Sequence, residues 1–210
     1  MNNRVVSKNY KGELPAGDQS ARFRVAWDEE NLYLRVEVED DRFLVSPELW
    51  ERPKAENSLW VHDGALEVYF DTGADGRTNL EKTFDDDDYR YDFSISKTGE
   101  SGPGQVNRFR EVYHQLADGI HMPTKAEVAE KVVSDFQRTE TGYTYTITFG
   151  QRYLEPLMLR KGFTSGFALY LHDNDEPMLG YCPKGLSLAT QAGAACDYHP
   201  ELWPLMILSE

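Results

Sequence analysis

The chain has 210 residues and a formal net charge of −14, from 36 acidic against 22 basic side chains. A phosphate backbone or an anionic membrane surface requires a basic footprint, so nucleic acid and membrane are excluded as partners, while the length suits one domain with a core of its own. No apolar run approaches the ~20 residues of a membrane helix, and the opening Met1-Asn2-Asn3-Arg4 lacks the charged-then-apolar plan of a signal peptide.

Residues 1–20 hold few apolar side chains and include Gly12, Pro15 and Gly17, so they read as an irregular lead-in to a single domain over 21–210. Strict alternation begins at Arg22. Phe23, Val25 and Trp27 share one face, Asp28-Glu29-Glu30-Asn31 makes a turn, and 32–39 alternate again, the pattern of a half-buried hairpin. Trp27 therefore reads as core. Residues 40–59 show no sustained period and form a long connection. Trp50 and Trp60 stand outside any apolar alternation, which makes them the better stacking candidates.

The stretch 59–71 places Trp60 just before a strand in which Leu66, Val68 and Phe70 face one side and Glu67, Tyr69 and Asp71 the other. Glu67 is open to two readings, a solvated carboxylate, as surface acids usually are, or a binding group beside an aromatic plate. Turn chemistry follows, then Asp85-Asp86-Asp87-Asp88. Four adjacent carboxylates repel one another, so Asp85, Asp86 and Asp87, with Asp71, are either fully solvated or ligands of a cation, for which hard oxygen donors select Ca²⁺. In the next strand Tyr89, Tyr91, Phe93 and Ile95 point inward and Arg90, Asp92 and Ser94 outward.

Residues 99–131 leave the β pattern. Val106, Phe109, Val112, Tyr113 and Leu116 recur at helical spacing before Asp118-Gly119, which predicts a short helical insert around 105–131. A hairpin follows at 132–139 and 143–149. In the strand 167–172, Phe167, Leu169 and Leu171 go to the core and Tyr170 and His172 to the polar face. Trp203 to Leu208 close the chain as a buried strand, with Trp203 packing rather than binding. Cys182 and Cys196 permit a disulfide or two free thiols, and their spacing gives no metal motif.

Many short strands, no βαβ rhythm and no glycine-rich phosphate loop predict an all-β antiparallel sandwich, immunoglobulin-like or jelly roll. If the strands carrying Glu67, Arg90 with Asp92, and Tyr170 with His172 share a sheet, its outer face holds hydrogen-bonding groups near an aromatic plate. Sugars need that combination, since their ring faces stack on aromatics while their hydroxyls bond to charged groups.

The runs FRVAWDEENLYLRVEVEDD, HDGALEVYFD, DDDYRYDF, GYTYTITF, GFALYLHDND and PELWPLMIL are similar, in order and spacing, to the family 9 carbohydrate-binding modules. The resemblance implies a non-catalytic β-sandwich that grips a sugar between aromatic residues, holds structural calcium, and works extracellularly or in the periplasm, joined covalently to a polysaccharide-degrading catalytic domain. It puts the family's first stacking tryptophan on Trp60, its strand glutamate on Glu67 and its second aromatic near Tyr198. Asp92 stands where well-known binders have arginine, and Tyr170 where they have glutamine. Two other classes remain open: a haem domain with His172, Met122 or Met178 as axial ligand, and a hydrolase using Glu67 and Asp92 as its carboxylate pair.

Overall fold

A computed structural model describes residues 3–4, 17–43, 64–76, 87–94, 101–103, 105–109, 132–173, 175, 184–187 and 199–209. Its strands are β1 (Asn3–Arg4), β2 (Gln19–Trp27), β3 (Asn31–Asp40), β4 (Leu66–Asp71), β5 (Asp88–Ser94), β6 (Gly102–Pro103), β7 (Gln105–Phe109), β8 (Val132–Arg138), β9 (Gly142–Gly150), β10 (Thr164–Asp173), β11 (Lys184–Ser187) and β12 (Leu205–Ile207). They pair antiparallel in two sheets. The first runs β1-β2-β3-β9-β8-β6 and the second β11-β10-β4-β5-β7, with β12 also on β10. This is the antiparallel sandwich that the alternation implies.

The hairpin of β2 and β3 follows from its turn residue. The Asp28 carboxylate accepts from the Tyr33 hydroxyl at 2.7 Å and from the Glu30 and Asn31 amides at 2.9 and 2.8 Å, the local closure that suits aspartate to turns. The Tyr33 bond first, then the two amides, holds its carboxyl below the usual range. At the other hairpin end, β9 starts on Gly142 because a Cβ there would lie 2.1 Å from the Val38 carbonyl oxygen.

The inner faces meet in one core. Leu34, Val36, Tyr145, Ile147 and Phe149 from the first sheet pack against Leu66, Val68, Phe70, Tyr91, Phe93, Phe167 and Leu169 from the second. Phe149 is at its aromatic centre, edge-on to Phe70, Tyr91 and Phe93 with ring centroids 5.3, 5.1 and 5.9 Å away. The tyrosines bring hydroxyls into this core and satisfy them on backbone carbonyls: Tyr89 on Glu155, Tyr91 on Tyr153 and Tyr145 on Gly64. Buried hydroxyls without partners would be costly.

Three expectations change. Residues 105–109 form strand β7 rather than the start of a helix, pairing Asn107 with Asp92 and Phe109 with Arg90. The open backbone edge of β5 outweighs a helical spacing of a few apolar residues, since a ladder satisfies both strands. The rest of the predicted insert, 110–131, lies outside the described residues. Trp27 is half-buried at the rim of the core, its indole N–H donating to the Ser209 carbonyl at 3.0 Å. The closing segment is an edge strand of three residues, with Leu205 and Ile207 47% and 64% exposed, because β12 covers only the first three residues of β10.

Phe149→Ala is expected to lower unfolding free energy by about 3–5 kcal/mol through loss of packing on three rings, whereas Leu205→Ala on the exposed edge should stay within about 0.5 kcal/mol. Urea denaturation of the two variants checks this assignment of the core.

Candidate functional site

The outer face of the second sheet carries the charge. Antiparallel register sets Glu67 on β4 between Tyr170 on β10 and Asp92 on β5, and sets Tyr69 between Ala168 and Arg90. Residues paired this way have side chains on the same face about 5 Å apart, so alternation in three strands is enough to collect them. His172 joins from the end of β10, where its amide donates to the Ala65 carbonyl at 2.8 Å and its carbonyl accepts from Gly64 at 3.1 Å. Gly64 holds φ at +72° there, and a Cβ would strike Phe43.

Glu67 is the hub. Its Oε1 accepts from Arg90 Nη2 at 2.5 Å and lies 2.9 Å from His172 Nε2, while Oε2 accepts from the Tyr69 hydroxyl. Arg90 turns its Nε to Asp92 Oδ1 at 2.7 Å and stands over the Tyr69 ring at 5.7 Å. Trp203 backs this group, fully buried, its ring 5.3 Å from that of Tyr69, and the Tyr170 ring meets His172 edge-on at 4.8 Å. Glu67, Arg90, Asp92, Tyr170 and His172 are all buried. A purely solvated Glu67 is thereby ruled out, and the carboxylate has a structural role that the strand pattern alone did not reveal.

Burial and charge move the two carboxyls in opposite directions. Burial pushes Glu67 up, but the Arg90 charge, then His172 and the bonds from His172 and Tyr69, outweigh it and bring the group down to about 2. For Asp92 burial is again the largest effect, and the nearby Glu67 charge reinforces it against Arg90, leaving the carboxyl raised to about 6. One guanidinium shared by two carboxylates cannot fully compensate both out of water.

Of the predicted site residues, the structure brings together Glu67, Arg90, Asp92, Tyr170 and His172. Trp60 and Tyr198 lie outside the described residues, as do Trp50, Met122, Met178, Cys182 and Cys196. Of the predicted calcium ligands, Asp71 and Asp87 converge with Asp75, their carboxylate oxygens within 4.8 Å of one another, and Asp85 and Asp86 lie outside the described residues. Asp71 there accepts from the Asp75 and Gly76 amides at 3.1 and 2.9 Å, and Asp87 from Gly73. Carboxylate oxygens are hard donors that can accept more than one bond, so this donor set fits a hard cation. A second acidic group was not anticipated: Asp18, Asp173 and Asp175, and Asp40, Asp41 and Asp175, also gather at such distances. Its signal was present in Asp40-Asp41 and Asp173-Asn174-Asp175, each at a strand end, but only the packing of one sheet on the other brings the two ends together.

The family model described as "Carbohydrate family 9 binding domain-like" matches residues 2–179. Among solved structures, a family 9 carbohydrate-binding module from Caldicellulosiruptor kristjanssonii in complex with glucose is similar over 99% of this chain and 84% of its own, at 14% identity and a TM-score of 0.66. Its complex with cellotriose gives 14% identity and 0.65 over 99% and 83%. A Bacteroides uniformis protein matches over 99% and 85% at 13% identity and 0.53. At these identities the likeness is one of fold. No curated protein matches the chain.

The two shifted carboxyls set the sign of the pH dependence. Glu67, lowered in the folded state, contributes stability that is present above its unfolded value of 4.5 and is lost as pH falls toward 2. Asp92, raised in the folded state, contributes stability that is present below 3.8 and is lost as pH rises through about 6, and Asp40, raised to about 6 chiefly by burial, acts in the same sense. Stability is therefore expected to peak near pH 4–5 and to fall toward neutrality. Thermal midpoints from pH 3 to 8 check it; Asp92→Asn should make the upper limb shallower, leaving the part due to Asp40, and a midpoint rising steadily to pH 7 would contradict it.

Proposed function

Because the chain belongs to the carbohydrate family 9 binding domain-like family, we propose that it is a glycan-binding module whose site is the outer face of β4, β5 and β10. The observation that carries this reading is the convergence of Glu67, Arg90, Asp92, Tyr170 and His172 on one face of one sheet. Sugar hydroxyls both donate and accept, and a face that alternates carboxylate, guanidinium, phenol and imidazole offers complements to both. Trp60 and Tyr198 are the proposed stacking residues, since an aromatic plate recognises the CH-rich face of a pyranose. The net charge of −14 favours neutral glycans over uronic or sulfated ones, which it repels. The complexes of the similar module with glucose and cellotriose support glucose-based oligosaccharides as first ligands.

Members of the family are binding modules rather than catalysts, and the network suits binding. Arg90 bonds to both Glu67 and Asp92 and so occupies the space between two carboxyls where a hydrolase would need its scissile bond. The same reading assigns the protein to an extracellular or periplasmic setting, joined to a catalytic domain that degrades polysaccharide. Calcium belongs to the reading as a structural ion: Asp71, Asp75 and Asp87, with Asp85 and Asp86, would hold it, and when bound it would neutralise the repulsion of the acidic run.

Isothermal titration with glucose and cellotriose tests the binding role. Trp60→Ala is expected to remove about 1–3 kcal/mol of binding, as loss of an aromatic anchor does. No binding of any neutral oligosaccharide in a panel would overturn the proposal. For the ion, thermal midpoints with EDTA and with added calcium should differ by several degrees, because a ligand held only by the folded state stabilises it; identical curves would remove calcium from the account.

A further inference from the structure

We propose that Asp92 is the specificity-determining acceptor of the glycan site, its ionised carboxylate taking a sugar hydroxyl on Oδ2 while Arg90 holds Oδ1, and that Glu67 is a positioning residue which fixes Arg90. The inference rests on the carbohydrate reading and divides roles within it.

The two carboxylates differ in what they have left to offer. Both oxygens of Glu67 are engaged, Oε1 by Arg90 and His172 and Oε2 by Tyr69, and 5% of its side chain is accessible. Asp92 is held through Oδ1 alone, at 2.7 Å from Arg90 Nε. Among the described residues nothing donates to its Oδ2, and 11% of the side chain is accessible. Oδ2 is not among the buried atoms that lack a partner, so it keeps accessible surface through which a ligand hydroxyl can reach it. A carboxylate held at one oxygen and open at the other is a preorganised acceptor, and bonds to a charged acceptor are the stronger kind. Glu67 in turn orders the guanidinium. Pinned by Tyr69, which is wedged against Trp203, it fixes Nη2 and thereby aims Nε at Asp92.

Among the described residues, the charges facing Asp92 are few. On its own strand there is Arg90; from β4 come Glu67 and, through it, the Tyr69 hydroxyl; from β10 comes His172, bonded to Glu67. On β7 the register partner is uncharged Asn107, next to Arg108. With burial foremost, these leave Asp92 raised to about 6, so the acceptor gains its charge across the mildly acidic range. Protonated, Oδ2 loses the charge that makes it the preferred partner of a hydroxyl.

Titration calorimetry of the whole chain with cellotriose from pH 5 to 7.5 tests the assignment. The wild-type association constant is expected to rise about tenfold from pH 5 to 7, as the ionised fraction of a group titrating near 6 does. Asp92→Asn should bind about tenfold more weakly at pH 7 and with a flat profile, while Asp40→Asn, which removes the other carboxyl raised to about 6, should keep the wild-type profile. Tyr69→Phe should weaken binding at every pH without moving the midpoint. The wild-type profile needs no variant, so misfolding of Asp92→Asn leaves the test standing. Binding that is flat with pH, or equal in wild type and Asp92→Asn, overturns this assignment and leaves the carbohydrate reading intact. If the wild type binds neither cellotriose nor glucose, the pH series is run with whichever neutral oligosaccharide of the panel it does bind, and binding of none of them at any pH overturns both.

Discussion

Arg90 is a single cation placed between two buried carboxylates, and the outer face of the second sheet depends on that arrangement. Taken alone, each of these groups would be expensive to bury; a charge removed from water without a partner is among the largest penalties in a fold. Together they share bonds, Glu67 through Nη2 and Asp92 through Nε, with Tyr69 and His172 completing the set around Glu67. The compensation is incomplete: burial first, reinforced by the Glu67 charge, leaves Asp92 raised to about 6, while burial of Glu67 is outweighed by the Arg90 charge and by His172 and Tyr69, which keep it ionised. A chemical asymmetry thus arises from two ordinary acids that differ only in how many donors reach them.

The opposite face of the same strands is built of apolar and aromatic side chains, whose tyrosine hydroxyls are satisfied on backbone carbonyls. Leu66, Val68 and Phe70 alternate with Glu67, Tyr69 and Asp71, and Tyr89, Tyr91 and Phe93 with Asp88, Arg90 and Asp92. A slip of one residue in the register of β4 or β5 would bring the charges into the aromatic core and expose the rings. Register therefore carries both the fold and the site. The core rings around Phe149 lock the strands, and the strands present the network.

Much of this was legible in the amino-acid sequence. Period-two alternation identified the strands of the hairpin from Arg22, of 66–71 and of 167–172, and it assigned Glu67, Arg90, Asp92, Tyr170 and His172 to the outward side. Alternation says which face a residue occupies but not what covers that face, and so it could not distinguish a solvated Glu67 from one enclosed by Tyr69, His172 and Trp203. Trp203 itself was read correctly as a packing residue, although its partners are on the site side of the sheet. The spacing of Val106 and Phe109 misled because a handful of apolar residues fits either period, and the deciding factor was the unpaired edge of β5. The five aspartates at 18, 40, 41, 173 and 175 stayed hidden because they meet only where an end of one sheet lies against an end of the other.

The central claim, that the charged outer face of β4, β5 and β10 receives the sugar, is most directly tested by mapping amide chemical shifts as cellotriose is added to the labelled protein. Shifts concentrated in residues 66–71, 88–94 and 164–173, largest beside Asp92 and Arg90, are the predicted result. Perturbation centred on β2, β3 and β9, whose outer side forms the opposite surface of the sandwich, would contradict the account.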